Sequence, residues 1–530
     1  MFAETIFISI VVAGILTAQI IASGSGFLLR RRLGLDEIIT DLLVADPDVR
    51  HSLRAIVGGL DTNPPAYHLL LRTLRRLVPV RAEIGVRAVS VGAALLALVG
   101  IYATLRQAYP TLIALAVILA LWSHPLLQRC AFEGRMYTSW LAAVVWSAYL
   151  LSRSTGGPDA DLGLHVLLAA VAVLTCMLHT LGPLSLVLVL GAHLSFNGFD
   201  RSSVDAAMWA SVGLITFVGW IPAVWKQSVA NPVTWVSPAT TKSVAGFVRA
   251  VLLPPGVATL FVLSAGSALF LEGPLPAGVR GQGAAAVSVL GGIAGPIAMP
   301  VALIVLSVTL EPLLVDRYAL PVIAGFAPLM AAVIAPLPSM WTVLLIGALA
   351  AKGAFHLRSL VAEYRDSDRV TTGLIAAIER HAGQSPVYFE RVHELAVVSR
   401  YTPSKRYAAI DFADAAATSG GSRRVPNSNQ ARLISTYYAG VTLVPWLAVR
   451  ALPDLYLVPS TLTSSEQNLA QLEMRYPEFD VRPLQGGLYR LLERAPIVNS
   501  NQNRRRETPA EESRPSAPAT NGTVTGSARG

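Results

Sequence analysis

Four short stretches of this chain set carboxylates, guanidiniums and phenols beside apolar runs. The adjacent acids Asp36 and Glu37 come first, a few residues after an apolar segment. An ionised carboxylate placed there faces the membrane surface, where it can take the proton of a hydroxyl as that oxygen attacks an electrophilic carbon. The same two residues also suit a helix start, with Asp36 as cap and acids in a first turn favoured by the dipole. Asp61-Thr62-Asn63-Pro64-Pro65-Ala66-Tyr67-His68 gathers polar groups and an aromatic among the residue types of a turn.

Glu133-Gly134-Arg135-Met136-Tyr137 follows His124-Pro125 and repeats the combination, adding an arginine. A guanidinium fork suits a phosphate because it donates two parallel hydrogen bonds. An internal Glu133–Arg135 pair or an interfacial anchor would explain the same residues. Asp316-Arg317-Tyr318, a little after Glu311, has the same character. Arg317 is a candidate phosphate ligand that Asp316 would orient; a side chain snorkelling to the interface is the alternative.

The elements that must position these groups are helices in lipid. Hydrophobic residues make up 53% of the 530 positions and charged ones only 14%, against about 25% in a typical soluble domain. Crossing a hydrocarbon core of roughly 30 Å takes about 20 helical residues. Apolar runs of that order recur as far as Phe355, and they do not alternate as barrel strands would. They predict about 11 spans: Ile6–Leu29, Ile84–Leu105, Thr111–Ser123, Thr138–Leu151, Leu162–Leu178, Pro183–Phe196, Ala206–Trp225, Phe247–Leu271, Ala284–Leu310, Tyr318–Leu337 and Trp341–Phe355. Counting crossings puts all four motifs on one side, together with the Lys226–Ala245 segment and everything after Phe355.

In the loop at residues 30–83, apolar residues at helical spacing predict two interfacial helices, Glu37–Val57 and Ala66–Leu77, broken by Pro64-Pro65. Beyond Phe355 a polar amphipathic helix, Arg358–Arg380, leads to strand-like runs at Pro386–Phe389, Leu395–Val398, Tyr407–Asp411, Tyr456–Val458 and Leu488–Leu492, with a helix at Ser465–Arg475. The expected organisation is a transmembrane part at 1–355, a small soluble α/β part at 356–495 and a disordered tail at 496–530.

Other signals are weaker. The net charge of +9 sits in juxtamembrane loops and the tail, which points to anionic lipid and not to nucleic acid. Cys130 and Cys176 read as small buried hydrophobes, and His179 and His193 stand isolated near span ends. Lys226, Lys242 and Trp235 could support a substrate or simply lie in a solvated loop. Gly291 and Gly295 have the spacing that lets helices pack closely. No Gly-rich phosphate loop followed by lysine is present, which argues against an ATP-driven transporter.

Taken in order, Leu35-Asp36-Glu37, Asp61 to His68, Glu133 to Tyr137 and Asp316-Arg317-Tyr318 resemble the GT-C-type membrane glycosyltransferases, in particular the branch with protein O-mannosyltransferases and aminoarabinose transferases. The resemblance covers Met1 to Phe355. It implies a polyprenyl-phosphate sugar donor, an inverting displacement, and an active site on the external face of a bacterial inner or plasma membrane. By matching position, Asp36 would be the base and Glu37 its acidic neighbour. Glu133, Arg135 and Tyr137 would belong to the donor site, Arg317 and Tyr318 would contact the donor phosphate, and Asp61, Asn63, Tyr67, His68 and Asp316 would support them. Some relatives use a divalent cation such as Mg or Mn, and others do not. The acceptor, a hydroxyl on a lipid, polysaccharide or protein, stays open. Two other classes remain beside it: a lipid or polysaccharide flippase, which would need polar residues at mid-span, and a membrane-anchored interaction protein working through its C-terminal part.

Overall fold

The computed structural model describes residues 24–155, 162–231, 238–251, 290–402, 406–411 and most of 428–494, with a few single positions beside them. Most of the expected first span, the bulk of the eighth, the start of the ninth, Trp235 and the tail after residue 494 lie outside the described residues.

The chain enters through α1 (Gly26–Arg30) and then forms three short helices, α2 (Leu35–Ala45), α3 (Val49–Val57) and α4 (Ala66–Leu77). Periodicity alone predicted one helix for the first two. Pro47 breaks it, and the Asp48 carboxylate restarts the chain by accepting from the Arg50 N–H at 2.8 Å. α4 leaves Leu70 and Leu77 exposed along one edge, while Tyr67 and Leu71 are buried.

The apolar helices follow: α5 (Ala82–Leu105), α6 (Thr111–Trp122), α7 (Pro125–Ala131), α8 (Tyr137–Ser154), α9 (Leu162–Leu178), α10 (Gly182–Asn197), α11 (Arg201–Val218), α12 (Ile221–Ala230), α13 (Thr241–Val251), α14 (Met299–Thr309) and α15 (Val322–Ile334). Among the described residues three helices are long and apolar enough to cross a membrane, or five if each of two bent pairs is one span. One bent pair is α6 with α7, which turn by 71°. There Pro125 opens α7, and His124 Nδ1 accepts the Leu126 N–H at 3.2 Å. The other is α11 with α12, bent by 44° where Gly219 and Pro222 interrupt the helix. Gly291 and Gly295 do pack closely, as their spacing predicted: a Cβ on Gly295 would lie 2.2 Å from the Leu188 carbonyl of α10, and one on Gly291 would lie 2.7 Å from Phe196 Cβ.

α16 (Ser339–His381) joins the expected last span and the expected polar helix into one 43-residue rod, roughly 65 Å long at 1.5 Å per residue. It leads to a six-stranded sheet of β1 (Val387–Phe389), β2 (Tyr407–Asp411), β3 (Thr442–Pro445), β4 (Asp454–Val458), β5 (Phe479–Pro483) and β6 (Tyr489–Glu493), in the order β3-β2-β1-β4-β6-β5. The first four strands of that order run parallel, and β6 and β5 close one side antiparallel. The expected strand at Leu395–Val398 is instead part of helix α17 (Val392–Tyr401). Val392, Leu395, Ala396, Val397 and Val398 are all buried there, so the helix is enclosed on most of its circumference. Strands β3 and β5 were not anticipated.

This C-terminal part is tied to the first loop. Arg400 pairs with Asp41 at 2.7 Å, the Leu33 N–H donates to the Tyr401 hydroxyl at 2.9 Å, and Tyr438 donates to Asp46 at 3.1 Å.

Candidate active site

α2 begins at Leu35 with Gly34 as its cap, so Asp36 and Glu37 occupy its first turn, and Asp36 is not the cap. Glu37 is 3% exposed and accepts four kinds of donor. Arg87 takes both its oxygens, Nε to Oε1 at 2.8 Å and Nη2 to Oε2 at 2.6 Å. The Gly34 N–H donates to Oε2 at 2.9 Å, the Gly134 N–H donates to Oε1 at 2.8 Å, and Arg31 stands 3.5 Å away. Burial opposes ionisation here, but Arg31 and Arg87 outweigh it and hold the carboxyl at about 2.

Arg87 is fully buried in the second turn of α5 and also donates to the carbonyls of Leu29, Arg31 and Arg32, the open C-terminal end of α1. Sequence reading missed it. Its signal was a lone arginine inside an otherwise apolar span.

Asp61 and Arg135 form a second buried pair at 2.8 Å. The same Arg135 nitrogen donates to Thr40 Oγ1 at 2.8 Å and to the Asp36 carbonyl at 3.1 Å, which fixes the start of α2. Asp61 Oδ1 accepts from the Asn63 backbone N–H at 3.0 Å, so the turn expected there is of the Asx kind, and from its side-chain amide at 2.9 Å. Burial would raise the Asp61 carboxyl, yet Arg135 and His68 hold it well below the usual carboxylate range. Gln227 of α12 donates to the carbonyls of Ile56 and Asp61 at 3.0 and 3.2 Å. This contact brings the segment after α11 to the side of the first loop.

These pairs wall a cavity of about 610 Å³. Facing into it, the Arg317 guanidinium lies 3.4 Å from Asp36 Oδ2 and 3.3 Å from Glu133 Oε1, and 5.4 Å above the Tyr137 ring. Burial pushes the Glu133 carboxyl above its ordinary value, and Arg317 offsets this only in part. Behind Tyr137 and Tyr318, the His179 ring stacks 4.2 Å from Trp140 with its edge toward Tyr318. Burial holds His179 neutral, down at about 3.

Of the residues singled out from sequence, Asp36, Glu37, Asp61, Asn63, Glu133, Arg135, Tyr137, Arg317 and Tyr318 line this one cavity. Tyr67 and His68 are buried behind it, and His68 Nε2 lies 3.4 Å from Asp61. Asp316 is exposed outside the cavity, so the carboxylates facing Arg317 are those of Asp36 and Glu133, where Asp316 was expected. Lys226 is exposed, and its neighbour Gln227 makes the contact. Part of the wall comes from elements that no motif pointed to: Tyr364, Ser367, Asp368 and Thr371 on α16, His393 and Val397 on α17, and Gln430.

A divalent cation does not fit this arrangement. The Arg317 guanidinium already stands between Asp36 and Glu133, and Glu37 and Asp61 are committed to Arg87 and Arg135. Among the described residues no group of three or more His, Cys, Asp or Glu is placed to hold a metal.

Comparison with solved structures shows the fold. The chain resembles ArnT from Cupriavidus metallidurans bound to undecaprenyl phosphate, with a TM-score of 0.57 and 12% identity over 92% of this chain and 98% of that one. It resembles the apo state of the same protein with a TM-score of 0.59 and 13% identity over the same shares. The chain therefore shares the fold of those ArnT structures. No family model and no curated protein matches the sequence.

Proposed function

We propose that this chain transfers a sugar from a polyprenyl-phosphate donor to an acceptor hydroxyl at the external face of a membrane, with Asp36 as the base. The observation that carries the reading is the Arg317 guanidinium between Asp36 and Glu133 in a cavity whose other carboxylates are already paired. The ArnT likeness supports it, since one of those structures has undecaprenyl phosphate bound.

In the proposed step the acceptor oxygen attacks the anomeric carbon from the face opposite the phosphate. Its proton passes to an Asp36 oxygen, and the bond from the anomeric carbon to the phosphate oxygen breaks. The electron pair leaves on the phosphate, so a single displacement inverts the centre. Arg317 stabilises the charge that accumulates on the leaving phosphate, and needs no proton transfer to do so. Tyr137 and Tyr318 give the sugar an aromatic floor. Glu133 holds Arg317 from the side away from Asp36, and Asp61 with Arg135 fixes the backbone from which Asp36 projects.

Glu37 has a scaffolding role on this reading. Its oxygens already accept from Arg87, Gly34 and Gly134, so it joins α1, α2 and the Glu133 loop. The test is Asp36→Asn assayed for lipid-linked sugar transfer in membranes. General-base catalysis contributes about 10²–10⁴-fold, and a loss of that size is expected with an unchanged melting temperature. Wild-type turnover by the folded variant removes Asp36 as the base.

A further inference from the structure

The transfer chemistry leaves one buried cation on the cavity wall unused. Arg32 pairs with Asp368 at 2.9 Å, Arg129 with Glu363 at 3.1 Å and Arg135 with Asp61 at 2.8 Å. Arg31 makes only long polar contacts: 3.4 Å to the Phe132 carbonyl, 3.4 Å to the Arg32 carbonyl and 3.5 Å to Glu37, a carboxylate it shares with the much closer Arg87. Its side chain is 11% exposed, and its Nε is buried with no hydrogen-bond partner among the described residues. A guanidinium left in that state carries a desolvation penalty that an added anion would offset.

The surroundings orient it for such an anion. The guanidinium carbon lies 4.0 Å over the Tyr364 ring of α16, and a guanidinium stacked on an aromatic face keeps its in-plane N–H groups for an acceptor. Ser367, nearly one turn further along α16, lines the same cavity. A planar donor on the cavity wall, with only long contacts of its own and a serine lining the same cavity, matches the tetrahedral oxyanion of a phosphate group.

We infer that Arg31, seated on Tyr364 and flanked by Ser367, forms a second phosphate-binding subsite in the cavity, separate from the one proposed at Arg317. The phosphate is either that of the donor, held from two sides, or one carried by an anionic acceptor. The binding itself does not depend on the transferase reading; only the assignment of the phosphate to donor or acceptor rests on it.

The test is calorimetric titration of inorganic phosphate into the full-length chain in detergent micelles. The wild type is expected to take two phosphates per chain, and Arg31→Gln and Arg317→Gln to lose one each. Undecaprenyl phosphate then separates the sources. Binding weakened roughly tenfold or more in Arg31→Gln assigns the subsite to the donor, and wild-type binding of that lipid alongside loss of one inorganic phosphate assigns it to the acceptor. Should Arg31→Gln not fold, the wild type reports instead: phosphate is expected to protect Arg31 from an arginine-specific dicarbonyl, read by peptide mass spectrometry. Full phosphate stoichiometry in Arg31→Gln, or modification of Arg31 unaffected by phosphate, overturns the inference. Loss of phosphate in Arg317→Gln alone would leave the transfer proposal standing and remove only this one.

Discussion

Two sets of charges stand within the same cavity wall and behave differently. The pairs built into it, Glu37 with Arg87 and Asp61 with Arg135, are short, nearly inaccessible and saturated with further donors. The pairs facing into it, Asp36 and Glu133 on Arg317, are 3.3–3.4 Å long and partly open. Buried and saturated pairs assemble a backbone, because removing either partner strands a charge. Long and open pairs can exchange a partner for a substrate at little cost. The division assigns construction to the first set and chemistry to the second.

The largest expected effect breaks the construction side. Arg87→Leu strips both short guanidinium hydrogen bonds from the buried Glu37 carboxylate and leaves only the longer Arg31 contact beside its backbone donors, and about 3 kcal/mol of stability should go with it, read by thermal or denaturant unfolding of the detergent-solubilised protein. A Glu37-Arg87 pair that contributed nothing would show an unchanged midpoint. Acid should reach the same pair next. The Glu37 carboxyl is held at about 2 against an ordinary value of 4.5, so its contribution is complete above about 4.5 and is lost as the pH falls from there toward 2. The loss is on the order of 3 kcal/mol, and Glu37→Gln should flatten that acid limb of the stability–pH curve.

Smaller effects are expected on the reactive side. Glu133→Gln removes one of the two carboxylates on Arg317, which should lower kcat/KM about tenfold with an unchanged melting temperature. Burial raises the Glu133 carboxyl, so the fraction of the wild-type rate that needs its ionised form should rise with pH through that elevated value. In the glutamine variant this part of the rate profile should disappear. Smallest of all should be the partly exposed Arg432–Asp411 pair at the C-terminal end of β2, 2.8 Å long, where Asp411→Asn should change stability by less than about 1 kcal/mol.

The reactive set was legible in the sequence because charged residues at the ends of apolar runs are expensive unless something uses them. Asp36, Glu133 and Arg317 stood out for that reason. Their pairing did not. Nothing in the spacing showed that Arg317 would meet Asp36 instead of its neighbour Asp316, since that depends on the turn joining α14 to α15. Arg87, Gln227 and Tyr364 are single residues on helices whose facing is set by packing alone. The misread elements have local causes. Leu395–Val398 is an apolar run too short to separate a strand from a helix, and Pro47 was passed over because the apolar period continues across it. The joining of the last span to the polar helix after it was hidden by the drop in hydropathy near Phe355, which changes the solvent around a helix without ending it.

The comparison turns on whether the open pair at Arg317 is where substrate binds, and titration of undecaprenyl phosphate into the purified full-length chain measures this most directly. Saturable binding by the wild type, weakened about 10–100-fold in Arg317→Gln at an unchanged melting temperature, is the expected result. Equal binding by the wild type and Arg317→Gln, or no binding of that lipid by the wild type, would contradict it.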